Sequence, residues 1–204
     1  MEQTVSFVLG VTSSLLATII AVAVPVARRK LAIRHLRGVW VQICHADTRH
    51  PNSICFLQLR YAVLSQEYRI DGIVYNDKWR FDNRWSSMTC SIDNRQGRIF
   101  YSYSGHHIVS PFSTGHGYGM IEMRERGRKL GLHNGYFLNA FLDAATSTTP
   151  VAADYFHVSS VSGLEHIQAL SDIEAALAEP NSALSTYVQT LLGARDKQYE
   201  TGNA

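Results

Sequence analysis

The sequence lacks the motifs that define common enzymes and nucleotide-binding proteins. It contains no nucleophile elbow, no His-Glu-x-x-His pair, no paired carboxylates on one predicted element and no glycine-rich loop between a strand and a helix. Its three cysteines, Cys44, Cys55 and Cys90, cannot all pair in disulfides, which suits a reducing compartment. We therefore expect a protein with no catalytic residues, no metal site and no cofactor.

Charge is also absent from residues 4–27, which are mostly Val, Leu, Ile and Ala. At about 1.5 Å per residue, a helix of this length crosses a hydrocarbon layer of roughly 30 Å. Glu2 precedes the run and the positive charges follow it, which is the reverse of a cleaved signal peptide. The sequence predicts one transmembrane helix over residues 4–27, with a signal peptide and a buried core helix as the alternatives.

Acidic residues are missing from the next segment, residues 28–37, for which we predict a basic juxtamembrane helix. The positive-inside rule then places the rest of the chain in the cytoplasm, and lipid headgroups suit the basic side chains. From Gly38 onward, acidic residues slightly outnumber basic ones, which argues against binding a nucleic-acid polymer. The basic residues of the segment are Arg28, Arg29, Lys30, Arg34 and Arg37.

From residue 39 the apolar spacing changes from helical to alternating, which is typical of strands. Short hairpin connections favour an up-and-down order, which eight antiparallel strands can close into a barrel wide enough for side chains or one small ligand. A two-sheet sandwich is the alternative. We predict an all-β barrel domain over residues 38–160, with strands at 39–44, 54–65, 68–75, 78–92, 98–104, 119–126, 130–141 and 154–160.

Residues 161–204 are predicted to form a short helical segment. Its helix starts are expected at two capping boxes, Ser162-x-x-Glu165 and Ser171-x-x-Glu174. The connection from residue 105 to residue 118 is rich in Gly and His, and we expect it to form a mobile lid over the mouth of the barrel. The spacing of its histidines fits a metal site poorly.

Aromatic, basic and hydroxyl side chains supply the candidate ligand-binding set. Trp85 offers a stacking surface for a base, whereas Arg84 can meet a phosphate only near the barrel rim, because it alternates with Trp85. Tyr101 and Tyr103 share one face of a strand, and their hydroxyls need polar partners that either a ligand or neighbouring groups supply. The candidate residues are Arg69, Arg84, Trp85, Tyr101, Tyr103, His133, Thr146 and Thr148.

Small residues recur at helical spacing along the predicted transmembrane helix. Such residues let helices approach closely in lipid, where van der Waals contact drives association, although membrane helices contain many small residues in any case. We predict a self-association face, and hence a homo-oligomer, from Gly10, Ser14, Ala17, Thr18 and Ala21.

The order of these parts resembles the small membrane-anchored β-barrel effectors of bacterial cyclic-oligonucleotide anti-phage signalling (CBASS). The resemblance covers residues 4–160 and rests on this architecture, on Gly38-x-Trp40 and on the segment Gly135-Tyr136-Phe137-Leu138-Asn139. Gly38-x-Trp40 also resembles the first strand of lipocalin-type barrels, in which the Trp closes the barrel floor. The sequence departs from these families by having one membrane helix instead of two and no Arg in the last strand.

The resemblance implies a lipocalin-like barrel that binds a cyclic dinucleotide made by a partner nucleotidyltransferase. It further implies a single-pass protein of the bacterial inner membrane that self-associates and disrupts the membrane, causing abortive infection. Two other functions remain open on the sequence alone. One is a membrane-anchored carrier or sensor of a lipid or other apolar ligand, and the other is a non-enzymatic assembly subunit.

Overall fold

A computed structural model describes residues 2–45, 54–76, 78–107, 114–126, 129–141, 150–179 and 181–202. The chain begins with helix α1 (Glu2–Ala32), which is followed by a 3-10 turn, Arg34–Leu36. Eight strands come next, and two helices, α2 (Leu170–Ala178) and α3 (Ala183–Gly202), complete the chain. Thr146 and Thr148 lie outside the described residues.

The eight strands form one closed antiparallel barrel in sequence order. Each strand pairs with the next, and β8 returns to pair with β1, with Trp40 opposite His157 and Cys44 opposite Ala153. This topology confirms the predicted all-β barrel and excludes the sandwich. The strands are β1 (Trp40–Cys44), β2 (Ile54–Ala62), β3 (Glu67–Tyr75), β4 (Phe81–Asp93), β5 (Arg98–His107), β6 (Thr114–Arg126), β7 (Lys129–Phe141) and β8 (Val151–His157).

The predicted mobile lid, residues 105–118, was wrong at both of its ends, whereas residues 108–113 lie outside the described residues. Strand β5 continues to His107 and strand β6 begins at Thr114, and their ladder pairs Gly105 with Gly115 and Tyr103 with Gly117. Glycine weakens a strand in isolation, but a barrel interior can require it where a neighbouring ring fills the space of a side chain. The strand prediction also ran too far at its end, because β8 stops at His157 and residues Val158–Ser160 form a 3-10 turn.

Part of the barrel wall is covered by buried residues on both its inner and its outer face. The interior layer includes Trp40, Leu57, Ile70, Ile99 and Ile121. On the outside, apolar residues of β1, β2 and β3 pack beneath the C-terminal helices, which bury Ile173, Leu184 and Val188 against them. Because successive side chains of a strand point to opposite faces, β1 contributes to both layers, and all of its residues are buried.

Neither predicted capping box begins a helix. Helix α2 begins at Leu170, and the carboxylate of Asp172 accepts hydrogen bonds from the backbone N–H groups of Gln168 and Ala169, both at 2.8 Å. These bonds lower the pKa of Asp172. Glu165 instead accepts the backbone N–H of Gly163 within a turn, so the first Ser-x-x-Glu pattern stabilises a loop.

One end of the barrel, here called the helix end, is closed by the residues that follow α1. Ile33 and Leu36 are buried in the interior layer, and the indole Nε1 of Trp40 donates to the carbonyl of Leu36 at 3.1 Å. The ring of His157 lies 4.5 Å from that of Trp40, and its Nε2 donates to the carbonyl of Arg37 at 2.8 Å. A histidine therefore occupies the place above Trp40 at the end of the last strand.

Helix α1 meets the barrel directly at the helix end. Arg29 donates to the hydroxyl of Tyr61 at 3.2 Å and to the carbonyl of Gln66 at 2.7 Å. Helix α1 ends at Ala32, several residues before the predicted end of the juxtamembrane helix. Residues Val11–Ala32 are long and apolar enough to cross a membrane, and none of that stretch is buried in the protein.

Candidate functional site

Three aromatic side chains meet in the middle of the barrel interior and are here called the aromatic cluster: Trp85, Tyr101 and Tyr103. The rings of Trp85 and Tyr101 stack at 5.8 Å, and Tyr103 lies 5.3 Å from Trp85 and 5.9 Å from Tyr101. Their exposed fractions are 8%, 4% and 9%. The structure thus brings together three of the residues predicted from the sequence.

Each ring of the cluster lies across a glycine on a neighbouring strand. A Cβ atom at Gly72 would overlap the indole of Trp85, and one at Gly119 would overlap Tyr101. One at Gly117 would overlap both the ring of Tyr103 and the backbone carbonyl oxygen of Leu138. None of these glycines has a positive φ, so their conformation alone does not demand glycine. A glycine is needed at these positions because the facing ring occupies the space of a side chain. The close packing against the glycine in turn fixes the position of the ring.

Several polar groups of the cluster have partners inside the protein. The indole N–H of Trp85 points to the sulfur of Cys55 at 3.3 Å, and the hydroxyl of Tyr103 donates to the carbonyl of Leu138 at 3.3 Å. Burial raises the pKa of Cys55 to about 12, and it also raises the pKa of Tyr101 and of Tyr155, whose phenols interact. These groups are neutral at physiological pH and serve as dipoles.

Asn83 carries one of the buried polar atoms for which the described residues supply no hydrogen-bond partner; the Oδ1 of Asn134 and the hydroxyl of Tyr155 are others. Asn83 is opposite Val74 and His107 in the ladders, two residues before Trp85, toward the distal end of the barrel, where β1, β3, β5 and β7 finish. Its Oδ1 is buried and has no hydrogen-bond partner among the described residues. An unpaired buried acceptor costs about 1–3 kcal/mol, so this atom calls for a donor from water or a ligand.

The two predicted arginines lie away from the aromatic cluster. Arg69 and Arg84 line a groove of about 440 Å³ on the outer wall, beside the start of α2. Asp71 in this groove accepts a hydrogen bond from Arg69 at 3.1 Å and forms a salt bridge with Arg60 at 2.6 Å. Since side chains alternate across the wall, both arginines lie on the face opposite to Trp85, so they could contact only a ligand that reaches the outer wall or the rim, and their role in ligand binding stays a prediction.

The remaining candidates do not join the cluster. His133 is half-buried near the helix end, two residues from Gly131, whose backbone abuts the ring of Trp40. Within the described ranges no Lys or Arg is buried, because the buried polar residues there are Gln42 and Ser185. Cations do lie close to the distal end, on the connection from β3 to β4, where Lys78 and Arg80 are exposed.

The outer wall formed by β5, β6 and β7 carries an exposed aromatic patch, here called the wall patch. Phe100, Tyr118 and Tyr136 are 42%, 69% and 42% exposed and line a cavity of about 660 Å³ with Met120 and Leu138. The C-terminal helices cover the outer faces of β1, β2 and β3 instead. Exposed apolar patches of this kind are typical of interaction surfaces.

The self-association residues predicted on α1 are helical, as expected. Ser14, Ala17, Thr18 and Ala21 are exposed on one side of the helix, and the hydroxyl of Thr18 donates to the carbonyl of Ser14 at 2.9 Å. Gly10 belongs to the same helix. In the described part of the chain, no group of three His, Cys, Asp or Glu side chains is placed to hold a metal ion.

Comparison with known proteins adds no relative: no protein-family model matches the chain, and no curated protein or solved structure is significantly similar to it. The fold and site define a closed eight-stranded barrel joined to one apolar helix.

Sequence reasoning missed Asn83 and the three glycines under the rings. For two of these glycines the signal was present, because Gly117 and Gly119 alternate with Gly115 at the period of a strand. In β6 this places them on the same face as Tyr101 and Tyr103 of the adjacent strand.

Proposed function

We propose that the protein is a single-pass, membrane-anchored receptor whose barrel binds a cyclic dinucleotide at its distal end. The observation that carries this proposal is the buried, unpartnered Oδ1 of Asn83 beside the ring of Trp85. The Watson–Crick edge of a base carries amino and imino donors for such an acceptor, and its face stacks on an aromatic ring.

The charges of the described residues determine how the ligand would lie. Because no Lys or Arg is buried among the described residues, the bases would enter the barrel and the phosphates would stay at the rim. Lys78 and Arg80 are exposed at the distal end, and Arg195 also lies there, because its guanidinium donates to the carbonyl of Cys44 at 3.2 Å. A phosphate buried among neutral side chains would be strongly unfavourable, so this orientation follows from desolvation.

The proposed response is self-association followed by disruption of the bacterial inner membrane, with the barrel on the cytoplasmic side. Ligand binding favours the associated state if that state has the higher affinity for the ligand. Two exposed surfaces support association: the small-residue face of α1 and the wall patch containing Tyr118. In an infected cell this would halt phage production, as expected from the resemblance to anti-phage effectors.

A second candidate ligand is favoured by one specific observation. Part of the interior layer is hydrocarbon and consists of Leu57, Leu59, Ile70, Ile99 and Ile121, each 2% exposed or less. An apolar ligand such as a fatty acid would need no cation there. This observation supports the carrier or sensor of a lipid as the alternative function.

Isothermal titration calorimetry on the full chain in lipid nanodiscs tests the proposal. The full chain is needed because a fragment starting at Gly38 would lack Ile33 and Leu36, which close the barrel. Heat from cyclic dinucleotides but not from fatty acids supports the receptor proposal, and the reverse pattern supports the lipid carrier. If neither class binds, the receptor proposal is wrong and an assembly subunit becomes the better explanation.

Asn83→Ala provides the residue-level test. Removing the acceptor should weaken dinucleotide binding about tenfold, the value of one buried hydrogen bond of roughly 1.4 kcal/mol. Asn94→Ala is the matched control, because Asn94 is an exposed turn residue at the helix end. Equal affinity of Asn83→Ala and wild type would place the ligand elsewhere.

A further inference from the structure

A groove at the helix end combines cations with an apolar floor, and is here called the junction groove. It has a volume of about 320 Å³ and lies between the end of α1, the start of β1 and strand β2. Lys30, Arg37 and Arg60 line it, together with Ile33 and Leu59. Ile33 and Leu59 are 3% and 2% exposed, so the floor is part of the barrel core.

The cations of the junction groove differ in their partners. Arg60 is paired with Asp71 at 2.6 Å and extends toward the groove that also holds Arg69. Lys30 and Arg37 form no salt bridge with any residue that the structure describes. Two unpaired cations above an apolar floor form a site for an anionic group that carries hydrocarbon with it.

The position of the groove along α1 indicates which anion this is. Lys30 follows the end of the apolar run by three residues, or about 4.5 Å of helix. The headgroup layer occupies roughly the first 5–8 Å beyond the hydrocarbon. When α1 crosses a membrane, Lys30 therefore lies at the level of lipid phosphates, and the opening of the junction groove lies just beyond it.

We propose that the junction groove binds the headgroup of an anionic phospholipid, with its phosphate between Lys30 and Arg37. The glycerol end of the lipid would rest against Ile33. This inference rests on the proposed membrane anchoring, but it does not depend on the ligand of the barrel. Basic residues are attracted to the membrane surface in general, but a headgroup bound in this groove would also fix the orientation of the barrel relative to the membrane.

Native mass spectrometry of the full chain in mild detergent tests the site. The chain is mixed with phosphatidylglycerol or, separately, with phosphatidylcholine, and retained lipid is counted per protein. The wild type should retain one phosphatidylglycerol in preference to phosphatidylcholine. The double variant Lys30→Gln, Arg37→Gln should bind it about thirtyfold more weakly, from a loss of roughly five- to sixfold at each cation.

Two further variants separate a site from overall charge. Arg95→Gln also removes a cation at the helix end, on the turn between β4 and β5, but Arg95 does not line the groove, so retention should be unchanged. The exchange Lys30→Arg, Arg37→Lys keeps both charges and should keep the preference for phosphatidylglycerol. A matching melting temperature shows that each variant is folded.

Several results would overturn the inference. They are equal retention of the two lipids, unchanged retention in the double glutamine variant, or displacement of the lipid by an excess of inorganic phosphate, which would mean that a free anion suffices. Membrane fractionation of cells tests the anchoring separately. Recovery of the chain in the soluble fraction would refute the anchoring, whereas loss of lipid selectivity in a membrane-bound chain would refute only the headgroup site.

Discussion

Replacing Gly119 with alanine tests whether the rings of the barrel interior are held as described. A Cβ at this position would lie less than 3.0 Å from Cζ and Oη of Tyr101, so the ring must retreat by about 1 Å to reach ordinary contact. Tyr101 is 4% exposed and stacks on Trp85, which leaves it little room to move. We expect Gly119→Ala to lower the free energy of unfolding by about 1–3 kcal/mol, the usual cost of overpacking.

A double-mutant cycle with Tyr101→Ala isolates that overlap. Tyr101→Ala alone should cost about 3–5 kcal/mol, because it leaves a large cavity. In that background the new methyl group enters the vacated space, so Gly119→Ala should be neutral or stabilising. The coupling energy between the two substitutions should therefore be about 1–3 kcal/mol in favour of the double variant.

Urea unfolding of the full chain in mild detergent provides the measurement, followed by tryptophan fluorescence. Trp40, Trp79 and Trp85 all lie between β1 and β4, so the signal reports on the barrel. Gly193→Ala is the control: nothing lies within 4 Å of its added Cβ on helix α3, and it should stabilise by about 0.5–1 kcal/mol. An equal cost of Gly119→Ala in both backgrounds would refute the packing of Tyr101 on Gly119.

Two further predictions concern the helices. Backbone hydrogen bonds lower the pKa of Asp172, so its contribution to the stability of the fold is present above the unfolded pKa of about 3.9 and is lost as pH falls through the folded pKa. Asp172→Asn should therefore lower the free energy of unfolding by urea by about 0.5–1 kcal/mol at pH 7 and should have no effect at a pH below both pKa values. A difference between variant and wild type that persists in acid would contradict this role. Ser14→Leu should weaken the association of labelled copies in vesicles about tenfold, measured by energy transfer, because a leucine side chain on the small-residue face keeps the two helices apart. Thr12→Leu, on the opposite side of α1, is the control, and equal effects of both substitutions would rule out a specific face.

The barrel could be predicted from the sequence because its signal is local. Alternating apolar residues and short connections fix antiparallel neighbours, and closure then follows from eight strands in order. The closure of the helix end could not be predicted, because Ile33 and Leu36 belong to a segment that reads as a basic extension of the membrane helix. Only the tertiary fold shows that Leu36 also receives the indole N–H of Trp40.

The candidate site was predicted only in part, because neighbouring residues of a strand point to opposite faces of the barrel wall. Trp85 and Arg84 are adjacent in one strand, so a site that uses the inner face at Trp85 must leave Arg84 outside. The sequence showed this alternation, but it did not show where along the barrel Arg84 lies. Glycines misled the loop prediction, since Gly117 serves the packing of Tyr103 and not the flexibility of a lid.

The junction between helix and barrel restricts how ligand binding could affect a membrane. Arg29 is bonded to the rim and Ile33 is buried in the core, so the described chain offers no hinge between α1 and β1. Swinging the helix relative to the barrel in response to a ligand at the distal end would expose Ile33 to water, which opposes that motion. Changes in the contacts between copies, at Tyr118 on the wall patch or at Ser14 on α1, require no such cost. The rigid junction thus favours association of whole molecules as the response, with each helix carried by its barrel.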